Sequence, residues 1–170
     1  MLRCRLCPVL LAAVVAGGLA AGATGTSSGG FQLHGTVTYV VDGDTVHVQV
    51  AGGREERVRL IGIDTPEVGQ CDAAAATALA RRAAEGRAAT LVGDPTQATR
   101  DRYGRLLAYV WVAGRGDLGY QQLLHGLARV YIYDRPFQRL TVYRRAARIG
   151  SSRPDSIQHA CGAKGPAGER

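Results

Sequence analysis

The chain has 170 residues and a formal net charge of +7 at neutral pH, from 21 Lys and Arg against 14 Asp and Glu. That length is typical of one domain whose core is large enough to fold without disulfides or structural metals. Beyond residues 1–23, no stretch is long and apolar enough to predict a membrane helix. The basic charge favours a polyanionic partner such as nucleic acid, although composition alone is a weak indication.

Residues 1–23 have the pattern of a secretory signal peptide. Arg3 and Arg5 precede an apolar run over residues 8–19, and small residues at 21–23 suit a cleavage site. We therefore expect a protein that is secreted, or held at the exterior of the cell envelope, with no stable membrane association after cleavage. Its formal charge would then be +5, since 19 Lys and Arg remain against 14 Asp and Glu.

Hydrophobic patterning places one domain at residues 31–150, between a Gly/Ser/Thr-rich flexible linker at 24–30 and a polar tail at 151–170. Alternating apolar and polar residues, or short apolar runs, predict five strands. They lie at residues 31–41, 45–50, 58–63, 89–92 and 106–112.

Helical spacing and capping residues predict three helices. They cover residues 72–85, 117–127 and 136–147, and a short extended piece lies at 130–133. The inward face of the first helix is expected to be thin and formed by Ala75, Leu79 and Ala83. The order of elements predicts an α+β fold with a mainly β core, a five-stranded OB-type β-barrel with three helices.

Acidic residues lie where the second predicted strand begins and the third ends. Asp42 and Asp44 open the second strand, and Asp64 and Glu67 follow the third. If these strands are neighbours, four carboxylates meet at one rim, and a cation or an arginine such as Arg59 must offset their repulsion. The alternative is that Asp-Gly at 42–43 forms only a hairpin turn.

Four motifs together carry a resemblance to a known family. They are Val-Asp42-Gly-Asp44-Thr-Val, Arg59-Leu-Ile-Gly-Ile-Asp64-Thr65-Pro66-Glu67, Asp-Arg-Tyr103-Gly104-Arg105 and Gly126-Leu-Ala-Arg-Val. In this order, over residues 36–147, they resemble the staphylococcal-nuclease (thermonuclease) family. The resemblance implies the OB-type barrel and a nuclease activity.

The resemblance also implies a calcium site. Asp44 and Asp64 match the family's Ca²⁺-binding carboxylates, and Thr65 matches the residue whose backbone carbonyl joins them. Oxygen donors of this kind are the ligands that Ca²⁺ takes. Asp42 matches an acid that shapes the site without binding the metal directly.

Catalytic roles follow from the same resemblance. Glu67 matches the general base that prepares a water for in-line attack on phosphorus. Arg59 and Arg105 match two guanidinium groups that grip the scissile phosphate, because a planar fork holds two oxygens at once.

Substrate binding is expected at aromatic residues. Tyr103, Tyr131 and Tyr133 match tyrosines of the family's nucleotide pocket, where rings stack on bases. The alternative for Tyr131 and Tyr133 is ordinary packing in a strand. Arg102 is a candidate for contact with the phosphate backbone.

Cys71 and Cys161 form an even pair in a chain expected to be exported. A disulfide between them is predicted, and it would attach the C-terminal tail to the domain through Cys161. The alternative is two unpaired buried thiols.

The resulting hypothesis is a secreted, calcium-dependent endonuclease that cleaves DNA and RNA to 5'-hydroxyl and 3'-phosphate ends. Single-stranded or frayed regions are the favoured substrate, and a monomer is expected. The alternatives are a noncatalytic OB-fold nucleic-acid-binding protein and a cationic protein with a purely structural calcium site. The chain departs from the family pattern in the short segment after Glu67 and at Gly119, where many members carry an asparagine.

Overall fold

The computed structural model describes residues 30–157; the predicted signal peptide, almost all of the linker, and Cys161 lie outside them. Eight strands and three helices are present in the described range. The strands are β1 Gln32–Val40, β2 Thr45–Val50, β3 Glu55–Leu60, β4 Ile63–Asp64, β5 Ala88–Val92, β6 Leu106–Val112, β7 Gly116–Asp117 and β8 Arg129–Val130. The helices are α1 Ala73–Ala84, α2 Leu118–Leu124 and α3 Leu140–Ser151.

Five strands close into a barrel, which confirms the predicted OB-type fold. Strands β1, β2 and β3 form an antiparallel meander, and β1 also pairs with β5, which pairs with β6. The barrel closes through a parallel pairing in which Arg59 of β3 lies opposite Leu107 of β6. Strand β7 pairs with β6 in antiparallel orientation, and β4 and β8 form a separate two-stranded sheet.

The barrel interior is filled by residues at alternate positions of these strands. In β2, Val46 and Val48 are fully buried while His47 between them is partly exposed. Val37, Val58 and Leu91 come from neighbouring strands and are also fully buried. This alternation is the pattern that a half-buried strand requires, and the prediction of β2 and β6 is confirmed at both of their ends.

The third helix begins four residues later than predicted. Pro136 and Phe137 precede α3, which starts at Leu140. Phe137 packs over Gly62 instead, where a Cβ would come within 2.4 Å of its ring. Gly62 has φ +79°, so a glycine serves both the turn and the ring contact.

The buried face of the first helix agrees only in part with the prediction. Leu79 is buried and Ala83 is partly buried, as predicted, but Ala75 is exposed. The other buried residues of the helix include Ala76, Ala80 and Ala84. Asp72 is the residue before the helix, but its side chain makes no cap hydrogen bond and its φ is +64°. Of residues 30–157, none belongs to a helix both long and apolar enough to cross a membrane.

Candidate nuclease site

A tight turn between β1 and β2 shapes the first acidic cluster. The Asp42 carboxylate accepts a hydrogen bond from the backbone N–H of Asp44 at 3.0 Å, and the backbone N–H groups of Val41 and Asp42 donate to the carbonyl of Thr45. Gly43 is packed so closely that a Cβ would lie 2.8 Å from both Thr65 and Ala76. The predicted hairpin turn therefore exists, and it also directs Asp44 inward.

Asp44 is the most deeply buried acid of the cluster, with 6% of its surface exposed. Its Oδ2 accepts hydrogen bonds from the backbone N–H and the hydroxyl of Thr65, at 3.1 and 3.2 Å. Oδ1 accepts from the Thr45 hydroxyl at 3.0 Å. Burial raises the pKa of Asp44 to about 6, even though Arg59 lowers it, and the negative charge of Asp42 adds to the rise.

Arg59 lies between the two carboxylates predicted to bind metal. Its Nη2 is 3.1 Å from Oδ2 of Asp44 and 3.4 Å from Oδ1 of Asp64. Its Nη1 donates to the carbonyls of Leu60 and Ile63, at 2.8 and 2.9 Å. The side chain is 13% exposed, so the guanidinium is held in one orientation by protein groups on several sides.

Asp64 has a second cationic partner that sequence reasoning missed. Its Oδ2 accepts from Nη2 and Nε of Arg129, at 2.7 and 3.0 Å. Asp64 and Arg129 are directly opposite each other in the β4–β8 pairing. Arg129 belongs to the Gly126-Leu-Ala-Arg-Val motif, which was the available signal, but its partner is 65 residues away in sequence.

These residues fit a hard divalent cation by donor chemistry. The oxygens of Asp44 and Asp64 both lie within 3.4 Å of one guanidinium nitrogen, and carboxylate and carbonyl oxygens are the donors that Ca²⁺ prefers. Within residues 30–157 there is no group of three His, Cys, Asp or Glu residues that could hold a metal ion. The predicted site has two carboxylates and the Thr65 carbonyl as its ligands, and it stays a prediction.

The predicted base and the second arginine both follow this cluster in sequence. Glu67 is exposed at the start of a turn in which its N–H donates to the side-chain oxygen of Gln70 at 2.9 Å. Arg105 is oriented by Asp101, whose carboxylate accepts from its Nε at 2.6 Å and from its backbone N–H at 3.0 Å. In the described part of the chain, no hydrogen bond or ion pair joins Glu67 to Arg59 or Arg105.

The parallel β3–β6 pairing puts the two arginines on one side of the sheet. Arg59 is opposite Leu107, and Arg105 precedes Leu107 by two residues. Since side chains two apart along an extended chain point the same way, Arg105 and Arg59 face the same side. Asp101, which orients Arg105, was not assigned a role from sequence, although its spacing of four residues from Arg105 was a usable signal.

The three candidate tyrosines form an exposed aromatic surface. Tyr103, Tyr131 and Tyr133 are 67%, 43% and 65% exposed, which argues against the reading of ordinary packing. The rings of Tyr131 and Tyr133 are 6.4 Å apart, and the Arg102 guanidinium is 4.8 Å from the Tyr103 ring. The pKa of Arg102 is raised, mainly by Tyr103 and to a smaller extent by Tyr133 and Tyr131.

Gly119, a departure from the family pattern, has a structural reason in this chain. A Cβ there would lie 2.8 Å from the hydroxyl oxygen of Tyr143. That hydroxyl donates to Asp117, whose carboxylate also accepts from the N–H of Tyr120 at the start of α2. Arg139 pairs with the same carboxylate at 3.0 Å. The glycine makes room for the buried tyrosine that ties α3 to α2.

Comparison with known proteins gives the class of the molecule. A family model described as staphylococcal nuclease homologue matches residues 57–150. The chain belongs to this family.

Several relatives carry nuclease names. A thermonuclease of Staphylococcus intermedius is 37% identical over 105 residues, which cover 57% of this chain and 59% of that protein. An uncharacterized endonuclease of Escherichia coli is 33% identical over 99 residues, covering 58% of this chain and 61% of the relative. Endonuclease YncB of Bacillus subtilis strain 168 is 34% identical over 106 residues, which cover 58% of this chain and 49% of that protein. The chain thus spans about half to three fifths of the length of these relatives.

Proposed function

We propose that the protein is an endonuclease that hydrolyses phosphodiester bonds of DNA and RNA and depends on a divalent metal, with Ca²⁺ as the expected ion. The observation that carries this proposal is the arrangement of Asp44, Asp64 and Thr65 around the anchored guanidinium of Arg59. An arginine can also offset the repulsion within a purely structural acidic cluster. The proposal therefore relies on the two backbone carbonyls that anchor Nη1 and leave Nη2 directed at Asp44 and Asp64. Family membership and the nuclease names of the relatives support the same reading.

Arg59 links metal binding with substrate binding. Its Nη2 now contacts the two carboxylates that would hold the metal, while its Nη1 is fixed by two backbone carbonyls. When bound, Ca²⁺ would be held by Asp44 and Asp64 and would supply positive charge beside the reacting phosphate. Arg59 would then offer Nη2 to a phosphate oxygen without moving its anchored half.

The other site residues complete the chemistry. Arg105, held by Asp101, offers a second fork from the same side of the sheet and opposes the charge that grows on the phosphoryl oxygens. Glu67 orients a water and takes its proton as the oxygen attacks phosphorus. The bond from phosphorus to the 5' oxygen breaks, and this oxygen takes up a proton from solvent while Glu67 gives its proton back to solvent, leaving a 5'-hydroxyl and a 3'-phosphate.

Substrate is held by the aromatic surface of Tyr103, Tyr131 and Tyr133 together with Arg102. Exposed rings stack only on bases that are not already stacked in a duplex, so single-stranded or frayed regions are the preferred substrate. We propose that the protein acts as a monomer.

Export and the disulfide form part of the proposal as well. The pattern of residues 1–23 supports secretion, and a bridge from Cys71 to Cys161 would suit an oxidising compartment. Mass spectrometry of the secreted protein, with and without reduction, tests both. A free-thiol count of two in the mature protein would contradict the bridge, and an intact N-terminal segment would contradict cleavage of the signal peptide.

The test of the catalytic proposal compares wild type with Glu67→Gln on plasmid DNA and on RNA, with Ca²⁺ and with chelator. Glu85→Gln, an exposed acid at the end of α1, is the matched control. We expect cleavage only with Ca²⁺, a loss of about two to four orders of magnitude in Glu67→Gln, and no loss in the control. Equal cleavage by wild type and Glu67→Gln contradicts the assigned base, and binding without any cleavage favours the noncatalytic OB-fold binder.

A further inference from the structure

A buried glutamine connects the acidic turn with two helices. Gln122 lies in α2 and is fully buried. Its Nε2 donates one hydrogen bond to the carbonyl of Gly43 and one to the carbonyl of Ala76, both at 2.8 Å. These partners are 79 and 46 residues away in sequence. One side chain therefore joins the β1–β2 turn, α1 and α2.

The chemistry of the two contacts fixes the orientation of the amide. Turning it over would place Oε1 against two carbonyl oxygens, and all three are acceptors. In the orientation observed, Oε1 is buried and has no hydrogen-bond partner among the described residues. A buried acceptor without a hydrogen-bond partner costs free energy of folding. General stability therefore explains the glutamine at this position poorly. Its two donor contacts are a better explanation.

The contact with Gly43 acts on the metal-binding turn directly. Gly43 is the residue between Asp42 and Asp44, and its α-carbon is enclosed by Thr65 and Ala76. Among residues 30–157, the Gln122 amide is the donor that reaches the Gly43 carbonyl. Packing limits the turn from one side, and the Gln122 hydrogen bond sets the direction of its peptide group.

The contact with Ala76 extends this effect to the catalytic side of the site. Ala76 is in the first half of α1, the helix that follows the turn beginning at Glu67. Gln122 thus holds the Asp42–Asp44 turn and α1 at a fixed separation. A side chain outside the metal and substrate sites thus fixes the acidic turn relative to α1.

We infer that Gln122 is a positioning residue that holds the carboxylate of Asp44 in its metal-binding geometry through the Gly43 carbonyl. This inference rests on the proposed function, because it assumes that the acidic turn binds a divalent metal. Loss of such supporting hydrogen bonds behind metal ligands typically weakens metal binding about 10- to 100-fold.

The test is calorimetric titration of the protein with Ca²⁺, in the absence of nucleic acid, for wild type and Gln122→Leu. Leucine has a similar shape but no donor. Gln121→Leu is the matched control, because the Gln121 amide is next in sequence yet donates to Arg115, away from the acidic turn. We expect Ca²⁺ affinity to fall about 10- to 100-fold in Gln122→Leu and to be unchanged in Gln121→Leu.

A cleavage assay provides the second readout. At saturating Ca²⁺ the kcat of Gln122→Leu should recover most of its wild-type value, while the half-saturating Ca²⁺ concentration rises in parallel with the calorimetric result. If Gln122→Leu does not fold, Gln122→Asn takes its place, since it is one methylene shorter and cannot reach both carbonyls. We expect it to bind Ca²⁺ at least several-fold more weakly.

The outcomes separate this inference from the proposed function. A lowered melting temperature with unchanged Ca²⁺ affinity would show that Gln122 is only structural and would overturn the inference, while leaving the nuclease proposal intact. A wild-type protein that binds no Ca²⁺ would overturn both. Weaker Ca²⁺ binding in Gln122→Leu but not in Gln121→Leu supports the positioning role.

Discussion

The acidic cluster and the tyrosine surface of this protein are built in opposite ways. Asp44 is 6% exposed and bound by four donors, whereas Tyr103 and Tyr133 are about two-thirds exposed. The first region is preorganised. Groups that stabilise charge developing in a transition state need such fixed positions. The second has few constraints and can adapt to any base. We therefore expect mutations in the cluster to change kcat, and mutations in the tyrosine surface to change KM.

Among variants that compare these two regions, the largest effect is expected from Arg59→Gln. Loss of a preorganised charge partner at the reacting phosphate should lower kcat by about two to three orders of magnitude. Arg59→Lys should recover little, since an ammonium group lacks the fork that spans Asp44, Asp64 and two carbonyls. Steady-state cleavage kinetics measure both variants.

Arg57→Gln is the control for that experiment. Arg57 lies two residues earlier in β3 and is exposed. A loss of rate in Arg57→Gln as large as that in Arg59→Gln would show that the effect comes from overall charge and not from the anchored guanidinium.

The protonation of Asp44 gives the next effect. Because the pKa of Asp44 is raised from 3.8 to about 6, the folded protein binds a proton more tightly than the unfolded chain does. In the metal-free protein, this group's contribution to stability is therefore greatest below pH 4 and falls as the pH rises toward 6 and just above. Asp44→Asn mimics the neutral form, so it should raise the metal-free melting temperature at pH 7 and have little effect at pH 4.

Calcium binding provides the opposite pH dependence for the same carboxylate. The metal competes with the proton, so Ca²⁺ affinity should fall by about tenfold for each pH unit below 6. Asp44→Asn should lose the stabilisation by Ca²⁺ at every pH. Thermal melting with and without Ca²⁺ from pH 4 to 8 measures both trends, and a metal-free melting temperature in Asp44→Asn below that of wild type at pH 7 would contradict the raised pKa.

A smaller effect is expected on the tyrosine surface. Tyr133→Ala should raise KM for a single-stranded oligonucleotide about tenfold, since stacking of one base contributes roughly 1–3 kcal/mol, and should leave kcat nearly unchanged. Tyr39→Ala is the control, because Tyr39 is likewise exposed, at 51%, but lies on the outer side of β1. If kcat falls in Tyr133→Ala while KM does not change, the division between the two regions is wrong.

The smallest effect concerns Arg129. Arg129→Gln removes a positive charge from the proposed metal ligand Asp64, so Ca²⁺ affinity should rise by about two- to threefold; the effect is small because the arginine is 57% exposed. Calorimetric titration measures it, with Arg153→Gln as a control that breaks an exposed pair with Asp155. Weaker Ca²⁺ binding in Arg129→Gln would show instead that Arg129 orients Asp64.

Sequence reasoning reached the barrel because its strands obey local rules. Valines alternate with polar residues in β2, and turn residues bound β6, so the ends of both were predictable. The buried face of α1 was predictable only in part, because an alanine-rich helix has too little variation in hydrophobicity to define a direction. Pro136 indicated a helix start, but packing of Phe137 over Gly62 delays the helix to Leu140.

The site was predictable only where its residues lie in motifs. Asp44, Arg59 and Asp64 are brought together as the motifs suggested. The contacts of Gln122 were not foreseeable, since its partners are distant in sequence and a polar residue in a helix usually faces solvent. Such long-range contacts depend on how the helices pack against the barrel, and no local pattern encodes them.

The central claim is that this acidic cluster drives metal-dependent cleavage of nucleic acid. The most direct test is digestion of a single-stranded oligonucleotide, labelled at both ends, by the wild-type protein across a Ca²⁺ titration, with analysis of the product ends. The account predicts cleavage that saturates with Ca²⁺, stops with chelator and leaves 5'-hydroxyl and 3'-phosphate ends. Cleavage that persists at full rate in chelator would contradict it.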